Sequence, residues 1–244
     1  MDLLCKEEVE RLKMNWKLKI GNFLFKYRSF SPIPLIILVF IIFRSVDLGN
    51  GNIFINLLGL LVSLIGEFIR IIAVGYAYSG TSGRERFLKA DALNITGIYS
   101  LVRNPLYIGN FLIFTGLVIV FANIWAEMIL AIFLILQYFF IIRYEEDFLR
   151  MQYGKRYADY CDRVKQIIPV FKNYEKNRNP FDLKKVVFKE VDSAFNMLIM
   201  YLVVLAYKEK AFNGSIKNPF LFIIPGVVLS LSYVIVKFIK KKRF

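Results

Sequence analysis

The sequence predicts an all-α, polytopic integral membrane protein with about six transmembrane helices. Three observations carry that reading. Of the 244 residues, 57% are hydrophobic, and the mean hydropathy is +0.50, above the usual range for a soluble domain of this length. The apolar residues fall in long runs separated by polar, basic connections. The net charge of +14 is concentrated in every second connection, as the positive-inside rule requires.

The elements follow in order. Residues 1–30 hold seven Lys/Arg and four acidic residues, with Val9, Leu12, Trp16, Ile20 and Phe23 at spacings of three and four. That period predicts an amphipathic helix on the membrane surface. A first span starts near Pro34 and covers 35–43, short for a hydrocarbon core of ~30 Å. Further spans are expected over 53–78, 105–121, 124–142, 195–207 and 220–236, with polar connections over 80–104 and 143–190. The chain thus divides into a basic amphipathic segment (1–30), a membrane core (31–171), and a basic linker with a C-terminal helix pair (172–244).

Charge orients this map. Of the 33 Lys and Arg residues, 28 lie in the N-terminal segment, the two polar connections and the C-terminal tail. Arg44, Lys208, Lys210 and Lys217 lie on the other side. Both termini are therefore expected in the cytoplasm, in the inner membrane of a bacterium or the endoplasmic reticulum of a eukaryote. Membrane orientation and contact with anionic lipid account for the basic residues better than nucleic acid does, because no nucleic-acid motif is visible. The chain has no histidine, which excludes a Ser-His-Asp triad, a histidine metal site and an imidazole base. No metal site is expected. Cys5 and Cys161 both fall on the cytoplasmic side, where a disulfide is not expected.

Two polar clusters stand out. Residues 97–110 read Gly-Ile-Tyr-Ser-Leu-Val-Arg-Asn-Pro-Leu-Tyr-Ile-Gly-Asn, and 143–149 read Arg-Tyr-Glu-Glu-Asp-Phe-Leu. Asn104-Pro105 is a helix-start signal, since Pro at the first helical position loses no needed hydrogen bond. Such a start presents unpaired N–H groups and a positive dipole end, suited to a carboxylate or phosphate. From Pro105 a helix rises ~24 Å to residue 121, and the return from Ile124 to Glu145 spans ~32 Å. A tight connection near Ala122-Asn123 makes the two antiparallel neighbours. Arg103, Asn104, Tyr107, Arg143, Glu145 and Glu146 are therefore expected to share one pocket, with cationic groups on one wall and carboxylates on the other. A zwitterionic, amino-acid-like ligand matches both.

The pattern Arg103-Asn104-Pro105-Leu106-Tyr107-Ile108-Gly109, an apolar hairpin, Glu145-Glu146, Leu149, Tyr153-Gly154, Tyr157, Tyr160, Val164 and Ile168-Pro169 resembles the isoprenylcysteine carboxyl methyltransferase and phospholipid methyltransferase superfamily. Asn104 stands where that family's pattern most often has histidine. The resemblance covers 97–169 and implies S-adenosylmethionine as methyl donor, held in a cytoplasmic-face cofactor pocket. It assigns Tyr99, Arg103, Asn104, Pro105, Tyr107 and Gly109 to the cofactor side. Glu145 and Glu146 join them, one facing the ligand and one structural, and Tyr153 and Tyr157 form part of the cover.

Methyl transfer from a sulfonium is an in-line displacement that alignment and electrostatics can promote. With a carboxylate acceptor no base is needed and Arg143 is placed to hold it. With an amine acceptor a proton must leave, and Glu145 or Glu146 is the candidate base. The expected partner is a lipid or lipidated substrate entering from the bilayer. Carboxyl methylation of a prenylated cysteine, N-methylation of a phospholipid amine and a non-catalytic protein on the same scaffold remain alternatives. Glu67 and Arg70, inside the second span, are either a self-neutralising i,i+3 pair or a functional group. Gly59, Gly66, Gly75, Gly109 and Gly116 are expected at close helix contacts.

Overall fold

The computed structural model describes residues 15–28, 31–42, 53–78, 80–81, 88–121 and 123–242. Among these the regular structure is entirely helical. In chain order the helices are α1 (Trp16–Tyr27), α2 (Pro32–Ile42), α3 (Ile53–Tyr76), α4 (Ile98–Leu101), α5 (Pro105–Phe121), α6 (Ile124–Tyr153), α7 (Lys155–Arg163), α8 (Leu183–Asn213) and α9 (Phe220–Lys242), with one 3-10 turn at Phe171–Asn173. Val9, Leu12, Cys5, Phe43 and Arg44 lie outside the described residues.

Among the described residues, four helices are long and apolar enough to cross a membrane: α3, α6, α8 and α9. Of the six expected spans, the other two are shorter. The 17 residues of α5 reach about 26 Å and the 11 of α2 about 16 Å at 1.5 Å per residue. The largest departure is α8. Its apolar core suggested a span over 195–207, but the helix starts twelve residues earlier, at Leu183, where Asp182 accepts a hydrogen bond from Lys185 N at 2.9 Å. A side-chain cap of this kind starts a helix regardless of hydropathy. Residues 183–190, read as part of a polar connection, are its first two turns.

The chain forms two compact units. One takes residues 1–38, 77–104 and 130–179. In it α1 packs on α6 through Gly21, where an added Cβ would stand 2.6 Å from Phe140 O and 2.7 Å from Tyr144 Cβ. The Phe25 and Tyr144 rings close that contact at 5.9 Å. Trp16, Ile20 and Phe23, the apolar stripe of the sequence, are exposed on this helix. A second cluster joins Leu93 to Tyr157, Tyr160 and Val164. Here the segment after α7 runs antiparallel to the segment around α4. Gly97 N donates to Glu175 O (2.8 Å), Val170 N to Leu101 O (2.9 Å) and Arg103 N to Lys165 O (3.0 Å).

The other unit takes residues 39–76, 105–129 and 180–244. Its centre is the α3–α5 contact, built on small residues. A Cβ on Gly66 would meet Gly109 O at 2.5 Å, and one on Gly59 would meet Gly116 O at 2.5 Å. Ser63 Oγ donates to Ile113 O between them, at 3.1 Å. Such spacing lets backbones approach closely, the usual way apolar helices associate in lipid. Helix α8 completes the core with Met197, Tyr201 and Val204 against Ile113, Leu117, Val120 and Phe121. Gly75 meets the ring of Phe181 instead of a helix.

Candidate active site

The site is assembled by two elements of the first unit that are far apart in sequence. Glu146 projects from the last turns of α6, and Arg103-Asn104 ends the polar stretch before Pro105. Arg103 Nη2 stands 3.1 Å from Glu146 Oε1, with the two side chains 12% and 11% exposed. Asn104 Nδ2 donates to Gln166 O at 3.2 Å and, at a longer 3.5 Å, to Glu146 Oε1. Arg103 Nη1 reaches Cys161 O at 3.4 Å. The Nε of Arg103 is buried with no hydrogen-bond partner. A buried, unmatched guanidinium N–H is costly unless a ligand or water supplies an acceptor.

Tyr157 closes one side. It is fully buried, and Arg150 lies over its ring at 6.0 Å. Burial, reinforced by the Glu146 carboxylate, pushes its phenol above the ordinary tyrosine range. Burial does the same to Tyr160, with Tyr99 adding to the rise. Both therefore stay protonated at any working pH, and Tyr160 donates to Tyr99 O at 2.6 Å.

The other expected site residues fall as follows. Pro105 opens α5 and is fully buried, and Tyr107 is buried two residues on. Gly109 faces α3, where a Cβ would meet Arg70 Cγ at 2.5 Å and Gly66 O at 2.7 Å. Glu145 is half-buried beside Glu146 on α6. Arg143 is exposed and lies over the Phe139 ring at 5.1 Å. Tyr153 donates to Ala90 O at 2.7 Å, fastening the 88–93 segment to the end of α6.

A second polar network, in the other unit, was only partly visible in sequence. Arg70 pairs with Glu190 of α8 (Nη2–Oε2 2.6 Å, Nε–Oε2 2.9 Å) and donates to Asn110 Oδ1. Glu67 is 4.0 Å from Arg70 Nε and accepts from Ser193 Oγ at 2.8 Å. The expected i,i+3 pair is thus the longer of two ion pairs. Glu190 was missed because residues up to 190 read as a connection; the signal was Asp182, an N-cap residue before an apolar-periodic run.

A helical membrane protein is therefore defined that carries a partly buried Arg-Asn-Glu cluster just before an apolar helix begins. Comparison with known proteins gives the particular kind. Residues 54–156 match the family model for phospholipid methyltransferase. Proteins named "Probable protein-S-isoprenylcysteine O-methyltransferase" from Oryza sativa subsp. indica and subsp. japonica are each 32% identical to this chain over 120 residues. These matches cover 48% of this chain and 62% of the relatives, so the chain spans less than two thirds of their length. No solved structure matches. The two kinds of match bear out the resemblance to the isoprenylcysteine carboxyl methyltransferase and phospholipid methyltransferase superfamily.

Proposed function

We propose that this protein transfers a methyl group from S-adenosylmethionine to a lipid or lipidated acceptor at the cytoplasmic membrane face. The observation that carries the reading is the Arg103–Glu146 pair. It joins the two motif halves across 43 positions of a chain whose residues 54–156 match a methyltransferase family. The relatives' names point to an isoprenylcysteine carboxylate, and the family description to a phospholipid, as acceptor class.

The residues present fit the donor. S-adenosylmethionine carries a carboxylate, an ammonium and a sulfonium methyl, and supplies the electrophilic methyl when bound. Arg103, with its unmatched Nε–H, suits the carboxylate, and Glu146 suits the ammonium or ribose hydroxyls. Asn104 holds Glu146 and the Gln166 carbonyl in register. Pro105 begins a helix whose first N–H groups favour negative charge. Tyr99, Tyr153 and Tyr157, of the same unit, complete the proposed donor pocket and its cover, whereas Tyr107 and Gly109 belong to the other unit, Gly109 packed against α3. Arg143 and Glu145, less buried, face the acceptor: Arg143 holds a carboxylate, and a neighbouring carboxylate takes the proton of an amine.

In this reading α2 and α5 join the four longer helices to make six spans, with both termini cytoplasmic, and 31–171 is the methyltransferase core. Calorimetry with S-adenosylmethionine and S-adenosylhomocysteine on the purified, folded protein tests it. Binding of both is expected, followed by labelled-methyl transfer to either a prenylcysteine or a phospholipid amine. Absence of binding by folded protein overturns the reading.

A further inference from the structure

The segment that follows α7 combines two properties that a solvated loop does not need. It exposes Ile167, Ile168, Phe171 and Tyr174, of which Ile168 is 73% and Phe171 76% accessible. Among these apolar residues it exposes Lys165, Lys172, Lys176 and Arg178. Glu175, the acidic residue in this stretch, already pairs with Arg163 at 3.3 Å and Arg178 at 3.8 Å. The exposed lysines are left to seek an anion elsewhere. The segment lies between two helices long and apolar enough to cross a membrane, so it stays at one membrane face.

The same backbone is built into the candidate site. Lys165 O accepts from Arg103 N, and Gln166 O accepts from the Asn104 amide. Val170 N donates to Leu101 O, Glu175 N to Ser100 Oγ, and Glu175 O accepts from Gly97 N. The face turned to Arg103 and Asn104 is thus main chain, while the face turned away carries the apolar and basic side chains.

We propose that residues 165–178 are a docking surface for the anionic leaflet of the membrane. Ile167, Ile168, Phe171 and Tyr174 enter the headgroup boundary while Lys165, Lys172 and Lys176 pair with lipid phosphates, and this seating holds Arg103 and Asn104 in place. Charge complementarity selects the occupant. Apolar side chains interleaved with unneutralised lysines match a negatively charged lipid surface. An acidic protein would match the lysines but not the four exposed apolar side chains set between them. The docking itself is independent of the methyltransferase reading; only its effect on donor affinity rests on that reading.

The test uses the full chain in lipid nanodiscs of phosphatidylcholine alone and of phosphatidylcholine mixed with phosphatidylglycerol. With Trp16 and Trp125 replaced by Phe, a Phe171→Trp variant reports depth. Quenching by bromine on the acyl chains is expected, stronger with phosphatidylglycerol and weakened by salt or by Lys165, Lys172 and Lys176→Gln. Quenching by aqueous iodide alone, unaffected by lipid charge, overturns the proposal, as does a response to inorganic phosphate equal to that of the charged discs. Should the triple variant fold poorly, the salt dependence of the unaltered lysines decides. S-adenosylmethionine affinity, measured in parallel, is expected to rise severalfold in the anionic discs and not in the triple variant. A seated segment with no donor binding in either disc removes the methyltransferase reading and leaves the docking surface standing.

Discussion

Arg103 and Glu146 form an ion pair, with Nη2 3.1 Å from Oε1, that ties the end of α6 to the residues just before α5. Removing one member of such a buried pair strands the other's charge, at a cost of about 3 kcal/mol or more. Glu146→Gln keeps the shape and loses the charge. It is expected to lower the thermal unfolding midpoint and to abolish S-adenosylmethionine binding. Arg143 offers the contrast, because it is exposed over Phe139. Arg143→Ala is expected to leave stability within about 0.5 kcal/mol and donor binding intact, while methyl transfer falls. Equal effects of the two variants on donor binding would reject this division of roles.

Helix packing makes a second, purely structural prediction. In Gly66→Ala the new methyl meets the Gly109 carbonyl, which is backbone and cannot rotate away. A loss of about 1–3 kcal/mol is expected. At Gly226 an added Cβ meets nothing within 4 Å, so Gly226→Ala is expected to be neutral or slightly stabilising. Chemical denaturation in detergent compares the two; a neutral Gly66→Ala would show that α3 and α5 are not in close contact.

Much of this was legible in the sequence for physical reasons. Pro105 and the Ala122-Asn123 connection fixed both ends of α5, and Asn123 indeed accepts from Ala126 N at 3.0 Å to begin α6. Helix rise then carried Glu146 back to Arg103 and Asn104. Small residues at Gly59, Gly66, Gly109 and Gly116 announced the α3–α5 contact. Hydropathy was a poorer guide where polarity and helix coincide. The first turns of α8 are basic, so they read as connection, and Glu190 was lost with them. Nor does any spacing rule reveal that main-chain carbonyls at Cys161, Lys165 and Gln166 would serve the site, since every residue carries one.

That missed residue yields a third prediction. Glu190 lies outside the region matched to the family, yet it is the closest carboxylate to Arg70, at 2.6 Å. Glu190→Met leaves Arg70 buried with Glu67 at 4.0 Å as its remaining counter-charge. A destabilisation of about 3 kcal/mol is expected, whereas the double replacement Arg70→Met with Glu190→Met is expected to recover most of it. A double-mutant cycle on unfolding free energy measures the coupling; additive effects would mean the pair is not formed.

Stability at alkaline pH follows from Tyr157 and Tyr160. Burial raises both phenols in the native protein, while the unfolded chain ionises near pH 10. The native state therefore binds more protons than the unfolded state above about pH 10. Their contribution to stability is complete below that pH and is lost as pH rises further, with no corresponding loss toward acid. Tyr160→Phe removes the 2.6 Å bond to Tyr99 O. It is expected to cost about 1 kcal/mol at neutral pH and to flatten the alkaline decline. Unfolding midpoints from pH 7 to 11 are the measurement, and an unchanged decline in the variant would exclude Tyr160 as its source.

Asn104 bears most directly on the chemistry. Its amide donates to Gln166 O and Glu146, and the family pattern most often has histidine there. Because the chain has no histidine, no unperturbed side chain at the site changes charge between about pH 6 and 8. The natural protein is therefore expected to add no pH dependence of its own to donor binding across that range, leaving the titration of the donor's amino group near its upper end. Asn104→His places an imidazole beside Glu146, whose negative charge favours the protonated ring and moves its titration to or above about 6.5. The imidazolium donates to both former partners of the amide, so the fold is expected to hold. Donor affinity in the variant should then follow one further proton between pH 6 and 8, read by calorimetry across that range. A variant with the natural protein's pH profile would place residue 104 away from the bound donor, and the role of its amide would reduce to fastening the 165–166 backbone over Glu146.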